Sequence, residues 1–134
     1  MLADDSGLMV DYLLGAPGVL SARFAGEGHD DAANNEKLLK AMSGVPAENR
    51  ACQFVCCIAL CRPGKQSLLA RGKCDGIVTQ ELSGSGGFGY DPLFYIKSKQ
   101  CTYAQLSAQE KNTISHRAKA LALLNELLRQ EKHD

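Results

Sequence analysis

The pattern of apolar and polar positions opens with an interrupted strand. Residues 2–14 begin apolar, turn polar over residues 4–7 and are apolar again from residue 8. This pattern predicts a strand edge around a functional turn. The run Gly-Ala-Pro-Gly at residues 15–18 then breaks any regular element, because glycine and proline favour turns.

A helical repeat follows this break. Residues 30–42 place apolar side chains three and four positions apart, which predicts a helix. Asp30 or Asp31 can cap its start, since a short acidic side chain accepts hydrogen bonds from the first free amides. The predicted apolar face carries Leu38, Leu39 and Met42.

The middle of the chain predicts strands. Residues 51–61 are almost continuously apolar, which is typical of a strand buried on both faces. A turn signal at residues 62–65 predicts that residues 67–74 pair back as a hairpin. Residues 76–79 extend this sheet, and residues 93–96 predict a further short strand.

Two helices are predicted near the end of the chain. Ser107 and Glu110 fit a capping box, and Ser115 can cap a second helix that runs to about Gln130. The predicted apolar stripe of that helix carries Leu121, Leu124 and Leu128. The sequence therefore predicts an α/β fold, with helices flanking a mixed sheet, in a single domain over residues 1–134.

The composition fits one domain with no global preference for charged partners. Hydrophobic residues make up 45% of the 134 positions, which suffices to bury a core. Fifteen basic and fifteen acidic residues cancel, so no net field attracts nucleic acid or a membrane surface. No segment approaches the roughly 20 apolar residues that cross a bilayer, and the start lacks a basic leader. We therefore expect no nucleic-acid or membrane partner and a cytoplasmic location.

Six cysteines raise the question of a metal site or disulfides. Four of them, at positions 52, 56, 57 and 61, lie in one predicted strand. Because neighbouring strand residues point to opposite faces, Cys56 and Cys57 diverge and the cluster cannot surround one ion. We interpret these cysteines as small hydrophobic side chains in a reducing compartment.

The run Asp-Asp-Ser-Gly at residues 4–7 offers two carboxylates and a hydroxyl. Magnesium prefers oxygen ligands and keeps several waters, so one or two carboxylates plus substrate phosphates form a typical site. A carboxylate beside such a metal can also deprotonate an attacking water. Taken alone, the dipeptide favours the simpler interpretation of an Asx turn, in which an aspartate caps backbone amides.

Residues 84–89 match the pattern Gly-x-Gly-x-x-Gly, but their context excludes a dinucleotide fingerprint. That fingerprint opens a helix, whereas strand-like residues follow here. A ligand-binding loop and an ordinary glycine-rich connection both fit. In a ligand-binding loop, backbone amides would approach the ligand and Phe88 or Tyr90 would stack on a base.

Lys111, His116 and Arg117 crowd the start of the last predicted helix. Free amides at a helix start already favour anions. His116 and Arg117 can donate to a purine carbonyl, and Lys111 can reach a phosphate or a base. A solvated helix start is the alternative, although such a concentration of donors beside a capping serine is unusual. Arg23 is another candidate phosphate contact, but a surface arginine fits it better.

Together these motifs resemble the inosine triphosphate pyrophosphatase family, also called the Ham1 family, in its bacterial form. The resemblance covers essentially all 134 positions, and the matching runs stand in the family's order. They are residues 3–8, 15–18, 21–23, 86–92, 110–111 and 114–117. The resemblance implies the Ham1 fold, with an elongated mixed sheet flanked by helices, and a homodimer. It also implies magnesium-dependent hydrolysis of ITP, dITP or XTP to the monophosphate and pyrophosphate.

The resemblance also implies roles for individual residues. Asp5 would be the general base and a metal-site carboxylate, with Asp4 beside it in the metal site. A carbonyl at purine C6 requires donors, which the amino group of adenine would meet unfavourably. The implied substrate-binding residues are Ser6, Phe88, Gly89, Tyr90, Asp91, Lys111, His116 and Arg117.

The sequence departs from the family at its start. Family members carry a strand, a Thr/Ser-Gly-Asn-x-x-Lys phosphate loop, and helices with a metal-binding glutamate and a lysine before the Asp-Asp-Ser-Gly motif. Here that motif begins at residue 4, so we expect a truncated form that is impaired in catalysis and exposes a sheet edge. Two alternatives stay open. One is an inactive nucleotide-binding or dimerisation module, and the other is a Maf-type phosphatase, against which residues 115–117 argue.

Overall fold

The computed structural model of the chain describes residues 2–26, 28, 30–87 and 89–132. Its strands and helices are, in chain order, β1 (Leu2–Val10), α1 (Asp31–Ala41), β2 (Ala51–Leu60), β3 (Leu68–Val78), β4 (Phe94–Ile96), β5 (Cys101–Thr102), α2 (Ala108–Ile114) and α3 (His116–Lys132). Short 3-10 turns cover Asp11–Leu13, Gly18–Arg23, Ala47–Asn49, Asp91–Leu93 and Tyr103–Gln105. The predicted α/β class is confirmed.

The strands form one sheet whose spatial order follows the chain, from β1 to β5. The predicted hairpin is confirmed, since β2 and β3 pair from Ala51 opposite Ile77 to Leu60 opposite Leu68. Every pairing between these five strands is antiparallel, so the parallel pairing of a mixed sheet is not found among the described residues. Within the described part of the chain, β1 is an edge of the sheet.

The turn predicted at residues 4–7 is wrong, because these residues lie inside β1. All nine residues of β1 pair with β2, from Leu2 opposite Leu60 to Val10 opposite Cys52. This ladder satisfies the backbone groups that a turn would leave to aspartate side chains, so it outweighs the local turn preference. Strand alternation then places Asp4 and Asp5 on opposite faces of the sheet.

The prediction that residues 51–61 are buried on both faces is also wrong. Along β2 the buried positions alternate, and they are residues 52, 54, 56 and 58. Cys56 is buried and Cys57 is exposed, which confirms that these two side chains diverge. One face of the sheet is therefore covered, and the other is open to solvent at Cys57.

Two faces can be defined from the strand register. Ser6, Cys56 and Gly72 stand opposite one another across β1, β2 and β3, and we call their side the core face. The neighbouring row, Asp5, Cys57 and Arg71, lies on what we call the open face. The two candidate metal carboxylates are thus divided, with Asp4 on the core face and Asp5 on the open face.

Helix α3 packs on the core face. Ser115 caps it, as predicted, by accepting a 3.1 Å hydrogen bond from the amide of Ala118. Ala120 and Leu124 are buried, whereas Leu121 is 43% exposed, so the apolar stripe runs along residues 120, 124 and 128 rather than through residue 121. No helix in the described residues is long and apolar enough to cross a membrane.

Arg50 joins α1 to the sheet, and the sequence did not reveal this role. Its side chain is buried at 4% exposure, and burial lowers the pKa of its guanidinium. The guanidinium donates hydrogen bonds of 2.7 to 3.1 Å to four backbone carbonyls, those of Met42, Val45, Val78 and Thr79. Arg50 therefore fixes the carboxyl end of α1 against the end of β3.

Candidate active site

A cleft on the core face lies between β1, the start of α3 and the loop that leads into residue 91. It has two adjoining parts, with volumes of about 160 and 480 Å³. Ser6, Lys111 and His116 line both parts. Three residues that the sequence singled out from distant segments therefore meet at one place.

Flat rings build one wall of this cleft. The Phe54 and His116 rings are stacked, with 4.8 Å between their centroids and 17° between their planes. Tyr103 stacks on Phe54 at 5.4 Å, within 4° of parallel. Aromatic rings in offset stacks favour further flat partners, so this wall suits a planar ligand.

His116 is neutral at physiological pH. Burial, followed by the positive charges of Lys111 and Arg117, lowers its pKa to about 4. A neutral imidazole presents one N–H donor and one acceptor nitrogen. His116 can therefore donate to a ligand without adding a charge beside Lys111.

The titration of His116 predicts a pH dependence of stability. The unfolded chain takes up the proton near pH 6.5 and the folded chain near pH 4, so the unfolded state binds more protons between these values. The free energy of unfolding should therefore fall as the pH drops from about 6.5 to about 4. At pH 5 we expect His116 to have removed about 1 kcal/mol relative to pH 7, after discounting for solvent screening.

His116→Phe tests this expectation, because phenylalanine keeps a flat ring on Phe54 but cannot take up a proton. Urea unfolding of both proteins at pH 7 and pH 5 measures how much free energy of unfolding each protein loses between the two pH values. We expect the variant to lose about 1 kcal/mol less than the wild type. An equal loss in both would mean that His116 does not titrate in this window.

Lys111 reaches across the cleft to the loop. Its Nζ lies 2.6 Å from Oδ2 of Asp91, and the Asp91 side chain is only 4% exposed. The same ammonium stands 5.2 Å from the centroid of the Tyr103 ring. A buried ion pair fixes two side chains in one geometry, because separating them would leave a charge unpaired. Lys111 and Asp91 thus tie the start of α2 to the loop.

The loop itself depends on glycine. Gly87 has φ +71°, and a Cβ built there would collide with the carboxylate of Asp91. Gly86 donates a 3.1 Å hydrogen bond from its amide to the carbonyl of Ala104. Phe88, which the resemblance places in base binding, lies outside the described residues. The loop backbone at residues 86 and 87 therefore packs closely on its surroundings.

Tyr90 lines the cleft, and its hydroxyl is held by a backbone carbonyl. It is buried, and its hydroxyl donates a 2.6 Å hydrogen bond to the carbonyl of Ser21. Burial, with a smaller contribution from Asp31, raises the pKa of this phenol. Ser21 in turn accepts a 2.9 Å hydrogen bond from the amide of Leu8 on β1. This chain of contacts joins the loop to the strand that carries Ser6.

Arg117 engages Asp4. Its Nη2 lies 2.9 Å from Oδ2 of Asp4, and both side chains remain partly open to solvent. Asp4 is therefore paired with the guanidinium at the start of α3, on the core face. Asp4 therefore has a positively charged partner on the core face, whereas Asp5 lies on the open face.

Asp5 lines a different cavity, on the open face. This cavity has a volume of about 400 Å³, and its lining includes Gly7, Cys57 and Arg71. Ser6 and Gly7 line this cavity and the core-face cleft alike. The edge of the sheet at Ser6 and Gly7 therefore joins the two spaces, so a long ligand in the cleft could continue over the edge to Asp5.

The two carboxylates predicted to hold magnesium do not lie together. The described residues contain no group of three or more His, Cys, Asp or Glu side chains that could hold one ion. Asp4 and Asp5 lie on opposite faces, so they do not form the shared two-carboxylate turn that the sequence suggested. Asp5 alone fits a site in which one carboxylate is completed by water and phosphate oxygens.

Sequence reasoning missed the contribution of α1. Asn34 is buried, its Oδ1 accepts a 2.7 Å hydrogen bond from the amide of Ala25, and its Nδ2 donates to the carbonyl of Ala22 at 2.9 Å. Arg23 follows Ala22 in this segment and is itself exposed. The available signal was a pair of asparagines on a helix beside the buried Leu38, where polar side chains need partners.

Comparison with known proteins identifies the family of this chain. The family model described as the Ham1 family matches residues 1–127. The chain belongs to the Ham1 family. A dITP/XTP pyrophosphatase of Desulforamulus reducens is 55% identical over 95% of the chain, and one of Bacillus licheniformis is 53% identical over 97%. The chain spans 63% and 66% of the lengths of these two proteins.

Solved Ham1 structures show the same fold. The Staphylococcus aureus Ham1 protein matches with a TM-score of 0.93 at 44% identity, over 97% of this chain and 67% of that one. A Ham1 protein from Coxiella burnetii matches with a TM-score of 0.89, over 96% of this chain and 66% of that one. The predicted Ham1 fold is confirmed.

Proposed function

We propose that the protein to which this chain belongs hydrolyses non-standard purine nucleoside triphosphates, namely dITP, ITP and XTP, to the monophosphate and pyrophosphate. The observation that carries this proposal is the cleft in which Lys111, His116 and stacked aromatic rings converge. The names of the similar enzymes from D. reducens and B. licheniformis support the substrate class. The reaction would clear non-standard purine nucleoside triphosphates from the nucleotide pool of the cytoplasm.

Base recognition follows from the donors that face the cleft. Neutral His116 offers an N–H group, and Lys111 of α2 and Arg117 of α3 offer charged donors to the larger part of the cleft. A 6-oxo purine such as hypoxanthine or xanthine presents an acceptor to such donors, whereas adenine presents an amino group. We therefore expect the site to discriminate against adenine, because the N–H of His116 finds no acceptor at its C6 position.

The phosphates of the bound nucleotide would extend from the core face across the edge of β1. Ser6 and Gly7 line the spaces on both sides of this edge, and Asp5 lies beyond them. Asp5 would orient or deprotonate the attacking water and hold magnesium together with water and phosphate oxygens. Magnesium supplies charge neutralisation for the phosphates when it is bound.

The proposal includes a homodimer. Several large apolar side chains are exposed in the described residues, among them Leu14 at 97%, Val19 at 89% and Leu69 at 73%. Exposed apolar surface of this kind favours association between copies of a chain. These residues support an assembly without identifying its geometry.

The direct test is release of pyrophosphate from dITP and XTP, with dATP as the matched control and magnesium present. The chain is assayed beside a form that adds the phosphate-loop segment implied by the family resemblance. We expect dITP and XTP to exceed dATP by about 100-fold or more in kcat/KM, because dATP offers the N–H of His116 no acceptor. We expect the extended form to be the faster one, since added phosphate donors stabilise developing charge.

Other outcomes would select other functions. Binding of inosine monophosphate without pyrophosphate release in either form would support the inactive nucleotide-binding module. Faster hydrolysis of modified pyrimidine nucleotides than of dITP would support the Maf-type alternative and remove the purine assignment.

A further inference from the structure

The amino end of α1 holds Gly89 from two sides. The amide of Gly89 donates a 2.9 Å hydrogen bond to Oδ2 of Asp31. The carbonyl of the same residue accepts a 3.1 Å hydrogen bond from Nδ2 of Asn35. Because residues four apart lie on the same side of a helix, Asp31 and Asn35 can act together. Both backbone groups of Gly89 are thus fixed by one helix.

We propose that Asp31 and Asn35 are positioning residues that set the base selectivity of the cleft by fixing Gly89. We call this pair the α1 clamp. The proposal rests on the proposed function, since it concerns recognition of the purine at the same site. It adds a source of selectivity that lies outside the donors on α2 and α3.

Gly89 needs such external support. It has φ +59°, in a region that glycine adopts freely and other residues seldom adopt. A glycine in a loop has many accessible conformations, so its own backbone does not determine where its peptide groups point. Two hydrogen bonds from a helix remove this freedom before a ligand arrives, which lowers the cost of binding.

The helix that carries the α1 clamp is itself held in place. Asn35 is 5% exposed, and Arg50 fixes the opposite end of the same helix through the carbonyls of Met42 and Val45. The Oδ1 atom of Asn35 is buried and has no hydrogen-bond partner among the described residues. A half-satisfied buried amide destabilises a fold, so its bond to Gly89 is the contact that offsets this cost.

The clamp also borders the ligand space directly. Asp31 and Gly89 line the smaller part of the cleft, where Lys111 and His116 stand opposite. Gly89 precedes Tyr90 and Asp91, and the carboxylate of Asp91 holds Lys111. A shift of Gly89 would therefore change the distance between the loop and the donors that read the base.

The test measures binding of inosine and adenosine monophosphate by NMR titration of the chain. Asp31→Ala and Asn35→Ala each remove one bond of the clamp. We expect Asn35→Ala to reduce the preference for inosine over adenosine monophosphate by about fivefold, the effect of one neutral hydrogen bond. Asp31→Ala should reduce it by at least as much, because its carboxylate is a charged acceptor. Asp31→Asn keeps an acceptor for the Gly89 amide and should restore most of the preference. Glu36→Ala, on the exposed side of α1, is the matched control and should bind as the wild type does.

Hydrogen exchange of the Gly89 amide provides the second readout. We expect faster exchange in Asp31→Ala than in Asp31→Asn, with global stability little changed. An unchanged exchange rate, or an unchanged preference despite faster exchange, would overturn the proposal. A wild type without any preference would overturn it as well. Because these measurements use monophosphates, loss of pyrophosphate release alone would count against the proposed function and not against the clamp.

Discussion

Replacing Asp5 by asparagine is expected to reduce the turnover of dITP by about 1,000-fold, the range of a lost general base and charge. Asparagine has the same shape but can neither take a proton from water nor supply a negative charge to magnesium. Asp5 is exposed on the open face of β1, so its replacement should leave the melting temperature within about 2 °C of the wild type. The measurement is pyrophosphate release in the form that hydrolyses dITP, with a thermal melt beside it.

Two further substitutions make this result specific. Asp75→Asn removes a carboxylate from an exposed position on the same face of the sheet, and we expect full activity. Asp4→Asn weakens the contact with Arg117 on the core face, so we expect a higher KM for dITP with kcat changed less. Equal losses of kcat in the Asp4 and Asp5 variants would contradict the separation of the two carboxylates by the sheet. Wild-type rates in Asp5→Asn would remove Asp5 from the mechanism.

The parts of the fold that the sequence predicted correctly depend on local signals. Ser107 and Ser115 mark helix starts because a serine side chain and the free amides it caps are at most three residues apart. The hairpin of β2 and β3 was likewise signalled by a turn between two apolar runs. Such features are complete within a few residues, so they can be read without knowledge of the rest of the chain.

The turn predicted at residues 4–7 failed because its outcome is decided at a distance. Asp4 and Asp5 pair with Ile58 and Cys57, more than fifty positions away along the chain. The local preference of an Asp-Asp-Ser-Gly run cannot include that ladder. The sequence therefore predicted both carboxylates on one side of a turn, whereas the structure places them on two faces of a sheet.

Arg50 and Asn35 were missed for a related reason. Each is a polar residue whose partners are backbone groups of distant segments, which no motif encodes. A charged or amide side chain beside buried positions is the available signal, since such groups are seldom buried without partners. That signal marks a residue as structural but does not name what it holds. The sequence therefore pointed to the donor side chains of the core-face cleft. It did not reveal the hydrogen bonds by which Arg50 and Asn35 hold the surrounding segments in place.

Gly72→Ala is expected to lower the free energy of unfolding by about 3 kcal/mol, the upper range for overpacking in a filled core. Gly72 lies on the core face of β3, directly beneath α3. A Cβ at this position would overlap the carbonyl oxygen of His116 and the amide of Ala120, and it would lie 2.9 Å from the Cβ of Lys119. Two of these three neighbours are helix backbone, which cannot rotate away as a side chain can. In a domain of this size the melting temperature should fall by about 10 °C.

Gly28→Ala is the matched control for this change, because a Cβ at Gly28 meets no atom within 4 Å. Its melting temperature should equal that of the wild type within about 2 °C. Gly72→Ala should also weaken binding of inosine monophosphate, because the helix that it displaces begins at His116 and carries Arg117. If the Gly72 variant instead has the same melting temperature as the wild type, α3 does not pack on β3 at this point. The placement of His116 would then need another explanation, since its backbone carbonyl lies against Gly72 and its ring stacks on Phe54.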